Sequence, residues 1–270
     1  MKHSLQVLAI VAGLFMSRSA TAENKLPTTP EKKLPLPGEV FLVEGRTAFL
    51  IPAVRSTSQG KTPWVWYAPT LRGLPATEER WMFERFTKAG IAIAGIDVGE
   101  SYGSPDGRKL FSAFYRELTE KRGLAPKAIL LGRSRGGLMT LCWAAENVEK
   151  VAGFAGIYPV CNIASYPGIE KACSAYHLQP AELTAQLTLH NPIDRLAPLA
   201  KAKIPLFAIH GDIDKVVPIE ANSGEMRKRY LALGGKMQLV IPVGQGHNYW
   251  TGFFQCQELV DFVIAQANIQ

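Results

Sequence analysis

The 270-residue sequence lacks the short motifs that announce most bound cofactors. It has no G-x-x-x-x-G-K-S/T phosphate loop, no G-x-G-x-x-G dinucleotide fingerprint, no zinc-spaced Cys/His cluster and no acidic calcium loop. A chemistry that needs neither cofactor nor metal is therefore expected. There is no basic run either. The 30 Lys and Arg against 23 Asp and Glu give a net charge of +7 spread along the chain, which offers nucleic acid no binding stripe. Internal repeats and low-complexity blocks are absent. The longest apolar stretch, Leu5 to Met16, is too short to cross a bilayer.

That stretch has another reading. Lys2 and His3 precede it and Ala20-Thr21-Ala22 follows, the order of a secretory signal with a small-residue cleavage site. Residues 1–22 are expected to be removed near Glu23, leaving a secreted or periplasmic protein with no membrane segment. Residues 23–38 carry Pro27, Pro30, Pro35 and Pro37 among charges and read as an extended tether. Export permits disulfides, and only four cysteines are present: Cys142, Cys161, Cys173 and Cys256. Cys161 and Cys173 share one inter-strand segment, so a local bridge there stands beside four free thiols as an alternative.

Residues 39–270 suit one large domain. Val40–Val43 and Thr47–Ile51 flank Glu44-Gly45-Arg46 and predict a hairpin. Further strands are expected at 64–68, 91–96, 128–131, 151–157, 204–209 and 237–241. Helices are expected at 77–88 with Thr77 as cap, and at 108–121, 138–145, 223–233 and 253–267. Such alternation implies an α/β domain, a mostly parallel central sheet with helices on both faces. Ligands of such sheets bind at the carboxyl ends of the strands. Residues 158–200, unusually long for a crossover, predict a small lid over the site.

The chain is organised around Ala128-Ile129-Leu130-Leu131-Gly132-Arg133-Ser134-Arg135-Gly136-Gly137. A buried strand runs into Gly-x-Ser-x-Gly, and an apolar helix follows at once. This is the layout of a nucleophile elbow, whose strained turn needs glycine at Gly132 and Gly136. A second copy, Gly99-Glu100-Ser101-Tyr102-Gly103, leads into Ser104-Pro105-Asp106-Gly107, which reads as a turn, so Ser101 is expected to be a loop residue. A serine needs a base and an orienting carboxylate. After the strand at 204–209 comes His210-Gly211-Asp212-Ile213-Asp214-Lys215-Val216-Val217-Pro218. After the strand at 237–241 comes Gly244-Gln245-Gly246-His247.

The order Ser, Asp, His, each just past a strand, resembles the α/β-hydrolases, and among them the exported esterase and prolyl-oligopeptidase-like branches. The resemblance covers essentially all of residues 23–270. It implies an α/β-hydrolase fold and a Ser-His-Asp triad of Ser134, His247 and Asp214, Asp214 being the last Asp of His-Gly-x-x-Asp-x-x-Val-Pro. Asp212 stands as the second candidate for the acid. His210 is expected to bond within its own turn, and His177 and His190 to lie on the inserted segment. The oxyanion donors implied are the Arg135 N–H and, from Pro69-Thr70-Leu71-Arg72-Gly73, the Leu71 N–H with Thr70 beside it.

Arg133, Tyr249 and Trp250 are the expected substrate contacts. Tyr158, Tyr166 and Tyr176 are further aromatics that either pack the insertion or stack on a sugar ring or aryl acid. Both arginines beside the serine have two readings. One is a structural salt bridge, for instance to Glu100. The other, for Arg135, resembles the Ser-Arg pair of the glucuronoyl esterases, in which an arginine after the serine assists the oxyanion; it implies that Arg135 adds a charged donor to the oxyanion hole or pairs with a substrate carboxylate. The resemblance implies an exported serine hydrolase of carboxylic esters, with a small-molecule or carbohydrate ester as partner. A serine peptidase of prolyl-oligopeptidase type is the alternative, set back because those enzymes carry a large propeller for which this length has no room. An inactive binding protein on the same scaffold is the third reading, disfavoured by the intact Ser134, Asp214 and His247.

Overall fold

The computed structural model of the protein describes residues 31–54 and 60–269. The predicted leader at 1–22 and the first part of the tether lie outside the described residues. Residues 31–38 do not form a free tether. Leu34 and Leu36 pack on a core cluster, and Gly38 is needed because a side chain there would press on the Leu50 carbonyl.

Among the described residues, eight strands form one sheet in the order β1-β2-β4-β3-β5-β6-β7-β8. They are β1 Glu39–Val43, β2 Arg46–Ile51, β3 Thr62–Ala68, β4 Ala92–Ile96, β5 Leu124–Arg133, β6 Val151–Ile157, β7 Leu206–Ile209 and β8 Met237–Val240. The opening hairpin is antiparallel and joins β4 antiparallel; every pairing from β4 through β8 is parallel. Parallel strands buried on both faces must be apolar throughout, and β4 and most of β5 are.

The helices are α1 Arg80–Lys88, α2 Pro105–Arg116, α3 Gly136–Ala144, α4 Ile169–Ala172, α5 Pro180–Ala185, α6 Leu187–His190, α7 Ala197–Lys201, α8 Ser223–Ala232, α9 Thr251–Phe254 and α10 Gln257–Ala267. Period-two alternation along β3 divides its side chains between the two faces. Trp64 and Trp66 point to one side, where they pack with Phe111 and Phe114 of α2 and Trp143 of α3. Val65 and Tyr67 point to the other, which α1, α9 and α10 cover. Helix α3 is buried at all nine positions, which is why its sequence is apolar all round rather than striped.

Several expectations need correcting. Thr77 does not cap the first helix. It opens a 3-10 turn at Thr77–Glu79, and the Glu79 carboxylate accepts the Ala76 N–H at 2.8 Å. Ser104-Pro105-Asp106-Gly107 is a helix start, not a free turn: Ser104 is the N-cap of α2 and Pro105 its first residue, a position that does not need the missing N–H. The closing helix is broken at Gln255 and Cys256 into α9 and α10.

The inserted segment at 158–200 folds as α4 to α7 and packs on one flank of the molecule, against α3 and the loops that follow β4 and β7. There Val160, Ile163, Ala172, Tyr176 and Leu183 cluster with Tyr102, Leu138 and Val217. Tyr176 donates to the Tyr102 carbonyl at 2.8 Å, so its hydroxyl is spent on packing. The expected Cys161–Cys173 bridge is also absent; all four cysteines are free. Cys161 turns into the main core, while Cys173 sits half-buried on the flank cluster. Burial pushes the Cys142 thiol up to about 12 and the Cys161 thiol higher still. A thiol reagent should therefore modify Cys173 first in the native protein, and all four only after unfolding. Mass spectrometry of alkylated peptides checks this; a Cys161–Cys173 linked peptide would contradict it.

Candidate active site

Ser134 stands at the turn between β5 and α3 with φ at 50°, the left-handed region that costs a residue other than glycine roughly 1–3 kcal/mol. The surroundings hold it there. Its N–H donates to the Ile157 carbonyl at 2.9 Å, and its own carbonyl accepts from Gly137 at 2.9 Å and Val160 at 2.8 Å. The turn is possible because α3 begins almost against the strands. A side chain on Gly136 would run into the Ala68 carbonyl, and one on Gly132 would meet Gly137 at 2.9 Å.

His247 comes from the loop after β8. Its Nε2 lies 2.9 Å from the Ser134 Oγ, and its Nδ1 lies 2.8 Å from the Asp214 Oδ2. A carboxylate only accepts, so Nδ1 carries the proton and Nε2 is the free acceptor facing the serine. Asp214 is buried and fully engaged. Its Oδ1 accepts the Val216 and Val217 N–H groups at 2.9 and 2.8 Å, and its Oδ2 also faces the His210 Nε2 at 3.3 Å. Burial alone would raise its pKa. The hydrogen bonds from His210, His247 and the Val217 N–H outweigh it and hold the carboxyl well below the usual carboxylate range. The stability this gives is fully present above the ordinary carboxylate pKa of about 4 and is lost as pH falls from there toward the depressed value.

Of the two aspartates, then, Asp214 meets the histidine. Asp212 accepts the Gln245 N–H at 3.2 Å and so ties the Asp loop to the His loop. His210 bonds within its turn as expected, to the Val217 carbonyl at 2.8 Å and the Ser223 hydroxyl at 2.7 Å. His177 is exposed beside Asp106, and His190 packs on the Tyr176 ring. Ser101 is buried at the turn before α2, where it faces no base.

The cavity at Ser134 has a volume of about 160 Å³ and is walled by Pro69, Leu74, Arg133, Arg135, Tyr158, His247, Asn248 and Tyr249. Only Tyr158 comes from the insertion, so that segment flanks the site and does not roof it. Burial pushes the Tyr158 phenol up to about 12, with Arg133 pulling the other way, and its ring packs 4.3 Å from that of His247. Trp250, an expected contact, is turned aside: it packs edge-on against Phe253 at 5.3 Å and does not line the cavity. From the loop after β3 the wall receives Pro69 and Leu74; Thr70 and Leu71, between them, do not line it. The N–H groups of Arg135, Thr70 and Leu71 donate to no backbone carbonyl among the described residues.

Both arginines form ion pairs. Arg135 bonds Glu100 at the half-exposed rim, the structural bridge anticipated for it. Arg133 pairs with Glu79 at 2.6 Å, both side chains buried, and lies against the rings of Tyr249 and Phe254. Glu79 also accepts the Tyr67 hydroxyl at 2.8 Å. Sequence reasoning missed this residue, since a glutamate in a first helical turn is ordinarily a surface cap. The signal that could have found it was Arg133 itself, a charge at the end of a buried strand that had to be paired. No group of three or more His, Cys, Asp or Glu among the described residues is placed to hold a metal, and no helix there is long and apolar enough to cross a membrane.

Comparison with known structures shows the same fold at low identity. A dipeptidyl peptidase 4 from Porphyromonas gingivalis superposes with a TM-score of 0.67 at 12% identity, over 85% of this chain and 35% of that one. A puromycin-hydrolyzing peptidase from Mycobacterium tuberculosis gives 0.65 at 15% identity, over 84% and 39%. Est1E from Butyrivibrio proteoclasticus gives 0.63 at 18% identity, over 85% and 98%. This chain thus spans little more than a third of the two peptidases and nearly all of Est1E. No curated protein matches the sequence. The model of the prolyl oligopeptidase family matches residues 111–265, more than half of the chain and all of the stretch from the elbow serine to the histidine loop. On that match and that fold, the chain belongs to the prolyl oligopeptidase family of α/β-hydrolase serine hydrolases.

Proposed function

We propose that the protein is an exported serine ester hydrolase that works through Ser134, His247 and Asp214. The observation that carries the reading is the unbroken chain Ser134 Oγ, His247 Nε2, His247 Nδ1, Asp214 Oδ2 at 2.9 and 2.8 Å. Ser134 Oγ attacks the ester carbonyl while His247 Nε2 takes its proton, and Asp214 stabilises the imidazolium. The Arg135 and Leu71 N–H groups receive the oxyanion, helped by the positive end of α3. Collapse breaks the bond to the alcohol, which leaves with the proton from Nε2. Water, deprotonated by the same histidine, then releases the acid and restores Ser134.

Two features favour an ester with a small acyl group. A cavity of about 160 Å³ is small beside ordinary ligand pockets of roughly 300–1,000 Å³. Its described lining also contains no carboxylate to receive the amino terminus of a peptide. The exposed Tyr249 ring in its lining suits an alcohol that is a sugar or an aryl group. The peptidase reading keeps one support, the family and the two longer peptidases of the same fold. Export rests on residues 1–22 alone.

Recovery of the protein from the periplasm or medium, with N-terminal sequencing and parallel assays, tests all of this. We expect a start near Glu23, rapid turnover of p-nitrophenyl acetate with a burst, and higher kcat/KM on acetylated sugars than on peptide p-nitroanilides. A preference for the anilides would move the assignment to the peptidases.

A further inference from the structure

The loop after β3 forms one wall of the Ser134 cavity through Pro69 and Leu74. Its Arg72 and Gly73 border a second cavity, together with Lys32, Val40, Thr47 and Asp97. The loop is therefore a thin partition, with the serine on one side and Lys32 on the other. Lys32 belongs to the segment that Leu34 and Leu36 fasten to the core. Its ammonium donates to two successive carbonyls of the partition, Thr70 O at 3.2 Å and Leu71 O at 3.1 Å.

In a trans peptide unit the C=O of one residue and the N–H of the next point in opposite directions. The Thr70–Leu71 bond is trans. A Thr70 carbonyl drawn to Lys32 thus turns the Leu71 N–H away from Lys32. That N–H has no backbone acceptor among the described residues and remains available. Other bonds steady the same unit: the Thr70 hydroxyl donates to the Tyr67 carbonyl at 3.2 Å, and the Leu74 N–H to the Leu71 carbonyl at 2.9 Å. A lysine suits the task because its ammonium carries three donors and no acceptor, so one side chain can hold both carbonyls. A charged donor on the carbonyl also polarises the peptide and strengthens its N–H as a donor.

We infer that Lys32 is a positioning residue for the oxyanion hole: by binding the Thr70 and Leu71 carbonyls it aims the Leu71 N–H at the oxyanion formed on Ser134. The inference rests on the hydrolase reading above. It gives the segment before β1 a part in the reaction although that segment lies outside the cavity.

Removing one oxyanion donor outright costs about a hundred- to a thousandfold in kcat, and misaiming it costs less. Lys32→Met is expected to lower kcat on p-nitrophenyl acetate by about ten- to a hundredfold, with KM changed less than about twofold. The inhibition constant of a trifluoromethyl ketone, which forms the same oxyanion, should rise in proportion. Lys32→Arg should recover most of both, and the melting temperature should stay within a few degrees. If Lys32→Met is too unstable to assay, Lys32→Gln, which keeps one donor group, should show an intermediate loss. An active wild type with kcat unchanged in Lys32→Met or Lys32→Gln would overturn the inference and leave the hydrolase reading standing. So would a loss of kcat that follows melting temperature while the ketone still binds normally. A wild type that hydrolyses no ester and takes up no fluorophosphonate ends the hydrolase reading, and this inference with it.

Discussion

Ser134→Ala and His247→Ala should each leave a folded protein whose kcat/KM on its best ester is lower by about three or more orders of magnitude. The size follows from how the three groups act. Without the hydroxyl there is no acyl-enzyme, and without Nε2 nothing takes the hydroxyl proton, so the first loss removes the covalent route and the second all but stops it. Asp214→Asn should cost less than Ser134→Ala, because the amide still fills the pocket and meets the Val216 and Val217 N–H groups, yet it no longer stabilises an imidazolium. Asp212→Asn should cost far less than Asp214→Asn, since Asp212 bonds the Gln245 backbone and not the histidine. Steady-state kinetics beside circular dichroism checks the series. A larger loss in Asp212→Asn than in Asp214→Asn would reverse the assignment of the acid.

Arg133→Met should produce the largest loss of stability. The substitution keeps much of the side chain's bulk but leaves Glu79 buried without its cation, and removing one partner of a buried pair costs about 3–5 kcal/mol. For a domain of this size that lowers the melting temperature by about 10 °C. Replacing both partners, as Arg133→Met with Glu79→Leu, should recover much of the loss, because no unpaired charge is then left inside. Thermal unfolding followed by circular dichroism reads both variants. A melting temperature within about 2 °C of the wild type in Arg133→Met would show that water reaches Glu79 and that the pair is not a structural pillar.

The parts of the molecule governed by local pattern were legible in the amino-acid order. Buried parallel strands are short apolar runs, and the elbow serine is marked by the glycines its turn requires, so β5, Ser134 and α3 could be found together. Asp214 and His247 follow strands because such sheets gather their functional loops at one end. What escaped depended on contacts far apart in the chain. Glu79 is fixed by Tyr67 and Arg133, and nothing local distinguishes it from a surface cap. The insertion's resting place is decided by the apolar surface that Leu138 and Tyr102 offer, which its length alone did not reveal. Cys161 and Cys173 are near in sequence, but the first is drawn into the main core and the second stays on the flank. Trp250 adjoins the histidine loop in sequence, but its ring has a better partner in Phe253. Lys32 lies in what reads as a proline-rich tether, and only the fold brings it to Thr70 and Leu71.

The most direct measurement is labelling with a fluorophosphonate, followed by intact mass and peptide mapping. The arrangement of Ser134, His247 and Asp214 predicts one adduct per chain, carried by Ser134. It should be lost in Ser134→Ala, greatly slowed in His247→Ala and retained in Ser101→Ala. A folded wild type that takes up no label, or an adduct that maps to Ser101, would contradict the account.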